Sequence, residues 1–181
     1  MTTSSDAPQA RDTQPIVAGA TPEQRDPTAW PPEVLDPIQR VLDHSRQKAG
    51  QAVRDTFDHR ERVMTALEFV EFWNGSRLKA MATQGTNGPH VAPVHAEFVS
   101  GRLRSTIYEN AVRRRDLRRN PSVALTTWGA NGAAAIVYGI AREVPESSRE
   151  TRPGATGRSR RTVALEIEVT RIYCMKPRPV E

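Results

Sequence analysis

The chain holds one cysteine, Cys174, in 181 residues, so an internal disulfide is excluded, and one Cys with four scattered His gives no spacing for a structural zinc. No apolar run approaches membrane-spanning length, and the N-terminus, MTTSSDAPQARD, carries no apolar signal-like segment. The expected location is therefore the cytoplasm, away from membranes. Aromatic residues make up only 6%, too few for the stacking platforms of single-strand nucleic-acid binders. Paired carboxylates, a nucleophile elbow and a glycine-rich phosphate loop are also missing, which removes hydrolase and P-loop readings.

What the chain does have is arginine, unevenly placed. The net charge is +5, yet residues 1–60 carry seven bases against nine acids, so the excess of cations lies beyond them. A basic half fits either nucleic acid or an anionic small molecule. With so few aromatics the small molecule is the expected partner and nucleic acid is not.

Seven of the fourteen prolines fall within the first 37 residues, among Ser, Thr, Ala, Asp and Gln. Residues 1–32 are accordingly expected as a flexible tail, residues 33–62 as a helical extension, and residues 63–181 as the folded domain. In the extension, Asp36-Pro37 reads as a helix start, and Ile38, Val41, Leu42, Ala49, Ala52 and Val53 form one apolar stripe that Gly50 weakens. Thr65 and Glu68 spell a capping box for a second helix with Ala66, Phe69, Val70 and Trp73 buried, ending at Asn74-Gly75.

From Arg77 the period changes to two. Leu78, Ala80 and Ala82 alternate with polar neighbours before the Thr86-Asn87-Gly88 turn. Val94, Ala96 and Phe98 then face one way, with His95, Glu97 and Val99 opposite. Ser100-Gly101 leads into a strand over Arg102–Ile107. Val112–Arg119 reads as a short helix stopped by Asn120-Pro121, followed by strands over Ser122–Trp128 and Ala133–Val144. Pro145–Arg161 is a Ser, Arg, Gly and Pro-rich loop, expected to be mobile, and a final half-buried strand begins at Val163. Six mostly antiparallel strands with peripheral helices predict a mainly β domain, closed or nearly closed as a barrel.

The order ATQGTNGPHVAPV, GRLRST, RRRDLRRNPSVAL and VYGIAREV resembles the pyridoxamine 5'-phosphate oxidase-like flavin-binding split barrels, over about Thr65 to Pro177. The resemblance implies a six-stranded antiparallel split barrel and a homodimer that binds FMN at its interface. It further implies a flavin-dependent oxidoreductase acting on a small molecule, with a deazaflavin coenzyme as the close variant. It places the flavin against Ala92, Pro93, Val94 and His95, extending to Glu97, and its phosphate and ribityl chain near Thr106 and Ile107. The family's cationic phosphate ligand stands seven residues before the Asn/Asp-Pro pair, which here is Arg113, with Arg114 beside it. A guanidinium fork suits that task, although the family often has Lys there. The plain alternative is that Arg113, Arg114, Arg115, Arg118 and Arg119 form a solvated helix face.

This chain also departs from the family. Glu97 stands where the true oxidase presents a cation, Ala134 replaces a glutamine, and the closing Arg-Leu-x-Pro is absent. A substrate other than the vitamin is implied. His95 is the sharpest catalytic candidate, since it can titrate near neutral pH, against the alternative of a hydrogen-bonded barrel support. His90 is expected to be exposed beside a turn, and His44 and His59 to do nothing chemical. A non-enzymatic protein that carries flavin or haem is the second class of function.

Overall fold

The structure is a computed structural model, and it describes residues 20–57, 60–144, 151–153 and 159–178. Five α-helices are present among them: α1 (Pro22–Arg25), α2 (Pro32–Gln47), α3 (Gln51–Phe57), α4 (Ala66–Gly75) and α5 (Val112–Arg119). The strands are β1 (Lys79–Gly85), β2 (Gly88–Val94), β3 (Ala96–Val99), β4 (Arg102–Tyr108), β5 (Ser122–Trp128), β6 (Ala134–Glu143), β7 (Thr151–Pro153) and β8 (Ser159–Met175). The sheet runs β2-β1-β5-β6-β8-β4-β3, antiparallel at every pairing, with β7 added on the start of β8.

The two ends of that path are one stretch of chain. Only His95 separates β2 from β3, so the piece before it pairs with β1 and the piece after it pairs with β4. The sheet thereby curls back on itself. The path counts seven strands where the sequence pattern predicts six, because one predicted strand is broken at His95. The last strand also begins earlier than predicted, at Ser159. Within the predicted loop, Thr151–Pro153 pairs with residues 159–161, and the rest of the loop lies outside the described residues.

Burial alternates along β1, β5 and β6, as a sheet with one face on a core requires. The phase of β1 is the reverse of the sequence expectation. Lys79, Met81 and Thr83 are buried, while Leu78 is exposed and Ala80 and Ala82 are half-buried on the other face. The apolar residues of β1 were a misleading guide because its outer face is apolar too. Against the inner face packs α4, opened by its Thr65–Glu68 capping box. Its Phe69 and Trp73 rings meet Phe98 at centroid separations of 5.6 and 6.3 Å.

On the N-terminal side, α2 begins at Pro32 rather than at Asp36. Pro32 occupies the first helical position, where its missing N–H costs nothing, and Pro37 lies inside the helix on its exposed side. Ser45 ties α2 to β8, its Oγ accepting from the Ile172 N–H at 2.9 Å and donating to the Val41 carbonyl at 2.6 Å. The helix stops at Gln47 and α3 starts just past Gly50. Residues 20–32, assigned to a tail on composition, are held to the domain, while residues 1–19 lie outside the described residues. Trp30 is buried with its indole N–H on the Glu23 carbonyl at 3.2 Å, and the Ser100 N–H donates to the Gln24 carbonyl at 2.7 Å. Ser100 and Gly101 both take positive φ in the β3–β4 turn. A Cβ on Gly101 would stand 2.7 Å from the Val34 side chain, so glycine is required there twice over.

Lys79 is the most unusual core residue. Its ammonium donates to the Trp73 carbonyl at 2.7 Å and to the Ser76 carbonyl, capping the end of α4, and lies 5.3 Å from the Trp73 ring centroid. Burial pulls its pKa down to about 8 against the opposing pull of the Glu97 charge. Between pH 8 and its ordinary value of 10.5 the unfolded lysine holds a proton that the folded one has shed. Stability from this group therefore rises with pH across that window, by about 3 kcal/mol. Cys174 acts oppositely. Burial lifts its thiol from 9.0 to about 12, so the unfolded state is favoured as pH climbs past 9. Urea titrations of the parent and Lys79→Met isolate the first effect. The parent-minus-variant stability should climb from pH 8 to 10.5, and a flat difference would show the lysine to be solvated.

Candidate functional site

The break at His95 opens a cleft of about 310 Å³ lined by Leu78, Pro93, Val94, His95, Thr106, Ile107, Tyr108, Arg113 and Thr162. Register explains why these residues meet. Val94 is the last β2 residue opposite β1, facing Lys79, and Tyr108 closes β4 opposite Thr162 of β8. The chain then turns through Glu109 and Asn110 into α5, whose second residue is Arg113. Of the residues proposed from sequence, Pro93, Val94, His95, Thr106, Ile107 and Arg113 thus come together. Leu78, Tyr108 and Thr162 were missed. Tyr108 lies two residues beyond Thr106 on the same strand, and that period of two could have signalled it.

His95 is held at two points. Ser105 Oγ donates to its backbone carbonyl at 2.7 Å, and its Nδ1 lies 3.0 Å from the Arg77 carbonyl. A carbonyl only accepts, so Nδ1 carries hydrogen and a neutral ring keeps its free lone pair on Nε2.

Arg113 and Arg114 are separated by the fold. The Arg113 guanidinium is half-buried in the cleft, and its Nε, shielded from water, has no hydrogen-bond partner among the described residues. Burial pulls its pKa below the ordinary arginine value, opposed by the Asp116 charge. Arg114 instead meets Glu143 through two bonds of 2.8 and 2.9 Å and approaches Glu109 at 3.5 Å. That fork holds Glu143 well below the usual carboxylate range, at about 2. Arg114 is therefore committed to the end of β6 and is not brought to the cleft. Ala92 is also outside it: it stands opposite the buried Met81 and shares that inner face. Glu97 is buried opposite Arg104 and does not line the cleft.

The other singled-out residues fall elsewhere. His44 is exposed on α2, and His59 lies outside the described residues. Cys174, with its raised pKa, is a poor nucleophile. Among the described residues, no group of three His, Cys, Asp or Glu gathers for a metal, and no helix is long and apolar enough to cross a membrane.

Beside the cleft the outer sheet face is apolar. By register, Val91 and Pro93 of β2 neighbour Ala82 and Ala80 of β1, then Ala124 and Thr126 of β5, then Tyr138 and Ile136 of β6. Leu78 (55% exposed), Val91 (65%) and Trp128 (69%) stand out from it. Leu78 and Pro93 belong to both this face and the cleft.

A conserved hypothetical protein from Mycobacterium tuberculosis superposes with a TM-score of 0.54 at 19% identity, covering 68% of this chain and 95% of that one. The chain has the split-barrel fold of the pyridoxamine 5'-phosphate oxidase-like proteins. A Listeria innocua protein provisionally assigned as a pyridoxamine 5'-phosphate oxidase gives a TM-score of 0.47 at 12% identity, over 59% of this chain and 94% of that one. A FAD-binding protein from Mesorhizobium loti gives 0.48 at 17% identity, over 62% and 94%. No protein-family model and no curated protein matches the sequence. In this split barrel the candidate site is the cleft at the broken strand, with a cation on one wall and an apolar sheet face on the other.

Proposed function

We propose that this split barrel is a flavin-dependent oxidoreductase that takes FMN into the His95 cleft, its phosphate on Arg113. The supporting observation is that the Arg113 Nε, like those of Arg25 and Arg104, is a buried donor without a partner among the described residues, and Arg113 alone of the three lines the cleft, where a ligand can answer it. A phosphate is the group that suits a guanidinium fork, and Thr106 belongs to the same lining. FMN, when bound, would supply hydride transfer. The chain's own contributions are to hold the phosphate, to shield the ring with Leu78 and Pro93, and to offer Nε2 of His95 as a proton acceptor.

The reading extends to a homodimer. A sheet face with Leu78, Val91 and Trp128 standing out is a surface that water covers poorly, and its continuity with the cleft makes a second copy the natural cover.

Purified protein incubated with FMN is expected to retain the flavin after desalting, with a flavin absorbance spectrum, and to scatter light as a dimer. A deazaflavin coenzyme offers the same phosphate with a different spectrum, so mass spectrometry of the retained ligand separates the two. A monomer that retains neither would end the proposal.

A further inference from the structure

A second cleft, of about 460 Å³, lies between α5 and the β1–β2 turn, lined by residues that include Thr86, His90, Arg115, Asp116, Arg118 and Arg119. Arg115 sits two residues past Arg113, about 200° round the helix, so α5 presents guanidinium groups to two separate clefts. Asp116 organises this one. Its side chain is only 2% exposed, and it accepts from Thr83 Oγ1 at 2.9 Å, His90 Nδ1 at 2.7 Å and Arg119 at 3.1 Å. An interior carboxylate thus orients an imidazole that is itself 46% exposed. With Nδ1 committed to Asp116, Nε2 is the atom left for a ligand. The backbone makes room for the ring: a Cβ on Gly85 would stand 2.4 Å from His90 Cε1.

The charges do not cancel. Arg119 is shared between Asp116 and Thr86, and Arg118 is drawn to Glu143 at 3.1 Å. Arg115 makes no ion pair among the described residues, so a cation beside an oriented imidazole is left over.

We propose that this cleft is a phosphoryl-binding site distinct from the Arg113 cleft, holding a phosphate group between Arg115, Arg119 and His90 Nε2. A phosphate oxygen takes the guanidinium N–H groups, and the imidazole either donates to a phosphate oxygen or accepts from a phosphate O–H. The site does not depend on the flavin reading.

The test is titration of the full chain with inorganic phosphate, followed by imidazole nitrogen NMR at His90 and by calorimetry. One-site, saturable changes at His90 are expected. Arg115→Gln, which leaves the Asp116 bonds intact, should weaken binding about tenfold, as loss of a charged hydrogen bond does. Arg113→Ala should leave the phosphate response of the His90 imidazole unchanged, which separates this site from the flavin cleft. Ribose 5-phosphate is the second probe: response to both ligands assigns the phosphoryl end of a larger molecule, and response to phosphate alone assigns the free ion. No saturable change, or equal affinity in Arg115→Gln, overturns the proposal. So does retention on duplex DNA with no response to either small phosphate.

Discussion

Arg113→Ala is expected to weaken FMN binding roughly a hundredfold while leaving the thermal midpoint of the unliganded protein no lower. Hydrogen bonds to charged groups are worth about 1.5–3 kcal/mol each, so losing two from a guanidinium fork removes about 3 kcal/mol or more, and each 1.4 kcal/mol is about tenfold. The stability half of the prediction comes from the same observation. In the unliganded chain this guanidinium is half-buried with Nε unanswered, so truncation removes a desolvated donor and breaks no bond. Its neighbour should behave in the opposite way. Arg114→Ala strips Glu143 of its fork and should lower stability by about 1 kcal/mol, tempered because both partners touch solvent, without changing flavin affinity. Flavin fluorescence titration and calorimetric scans of the two variants decide the matter. Equal affinity in both would sink the phosphate assignment.

Trp73→Ala should cost about 3–5 kcal/mol, a large part of the about 5–15 kcal/mol typical of a domain. The ring is fully buried and its loss would empty the junction of α4 with the sheet, where it meets Phe69 at 5.8 Å and Phe98 at 6.3 Å between centroids. It would also uncover Lys79, whose ammonium sits 5.3 Å from that ring. The indole N–H has no hydrogen-bond partner among the described residues, so Trp73→Phe forfeits no bond and should recover most of the loss. Urea unfolding followed by circular dichroism measures both. A loss below about 1 kcal/mol for the alanine variant would mean that the core closes over the gap, contrary to what close packing allows.

Much of the fold was readable in the residues because its signals are local. The Thr65–Glu68 capping box, the Asn120-Pro121 stop after α5 and the Ser100-Gly101 turn each act within a few residues, and each stands where the pattern puts it. The cleft was legible in part, through a family resemblance that brought Pro93, His95, Thr106 and Arg113 forward. What escaped was decided across the sheet. Arg113 and Arg114 are chemically identical neighbours, and only the position of Glu143 on β6 determines which one stays free. His90 looked like a bare turn residue until Asp116, 26 positions later, came within 2.7 Å.

By itself, then, the amino-acid order determined most of the element types between Thr65 and Val144, the turns and the concentration of cations after β4, since periodicity, capping and backbone stereochemistry operate over one or two turns of chain. Tertiary structure alone decided which face of β1 is inside, how one strand breaks at His95 to serve both ends of the sheet, and how the arginines of a single short helix are divided between two clefts. Those outcomes depend on partners brought together from distant parts of the chain, because burial and charge pairing are settled only when the sheet closes.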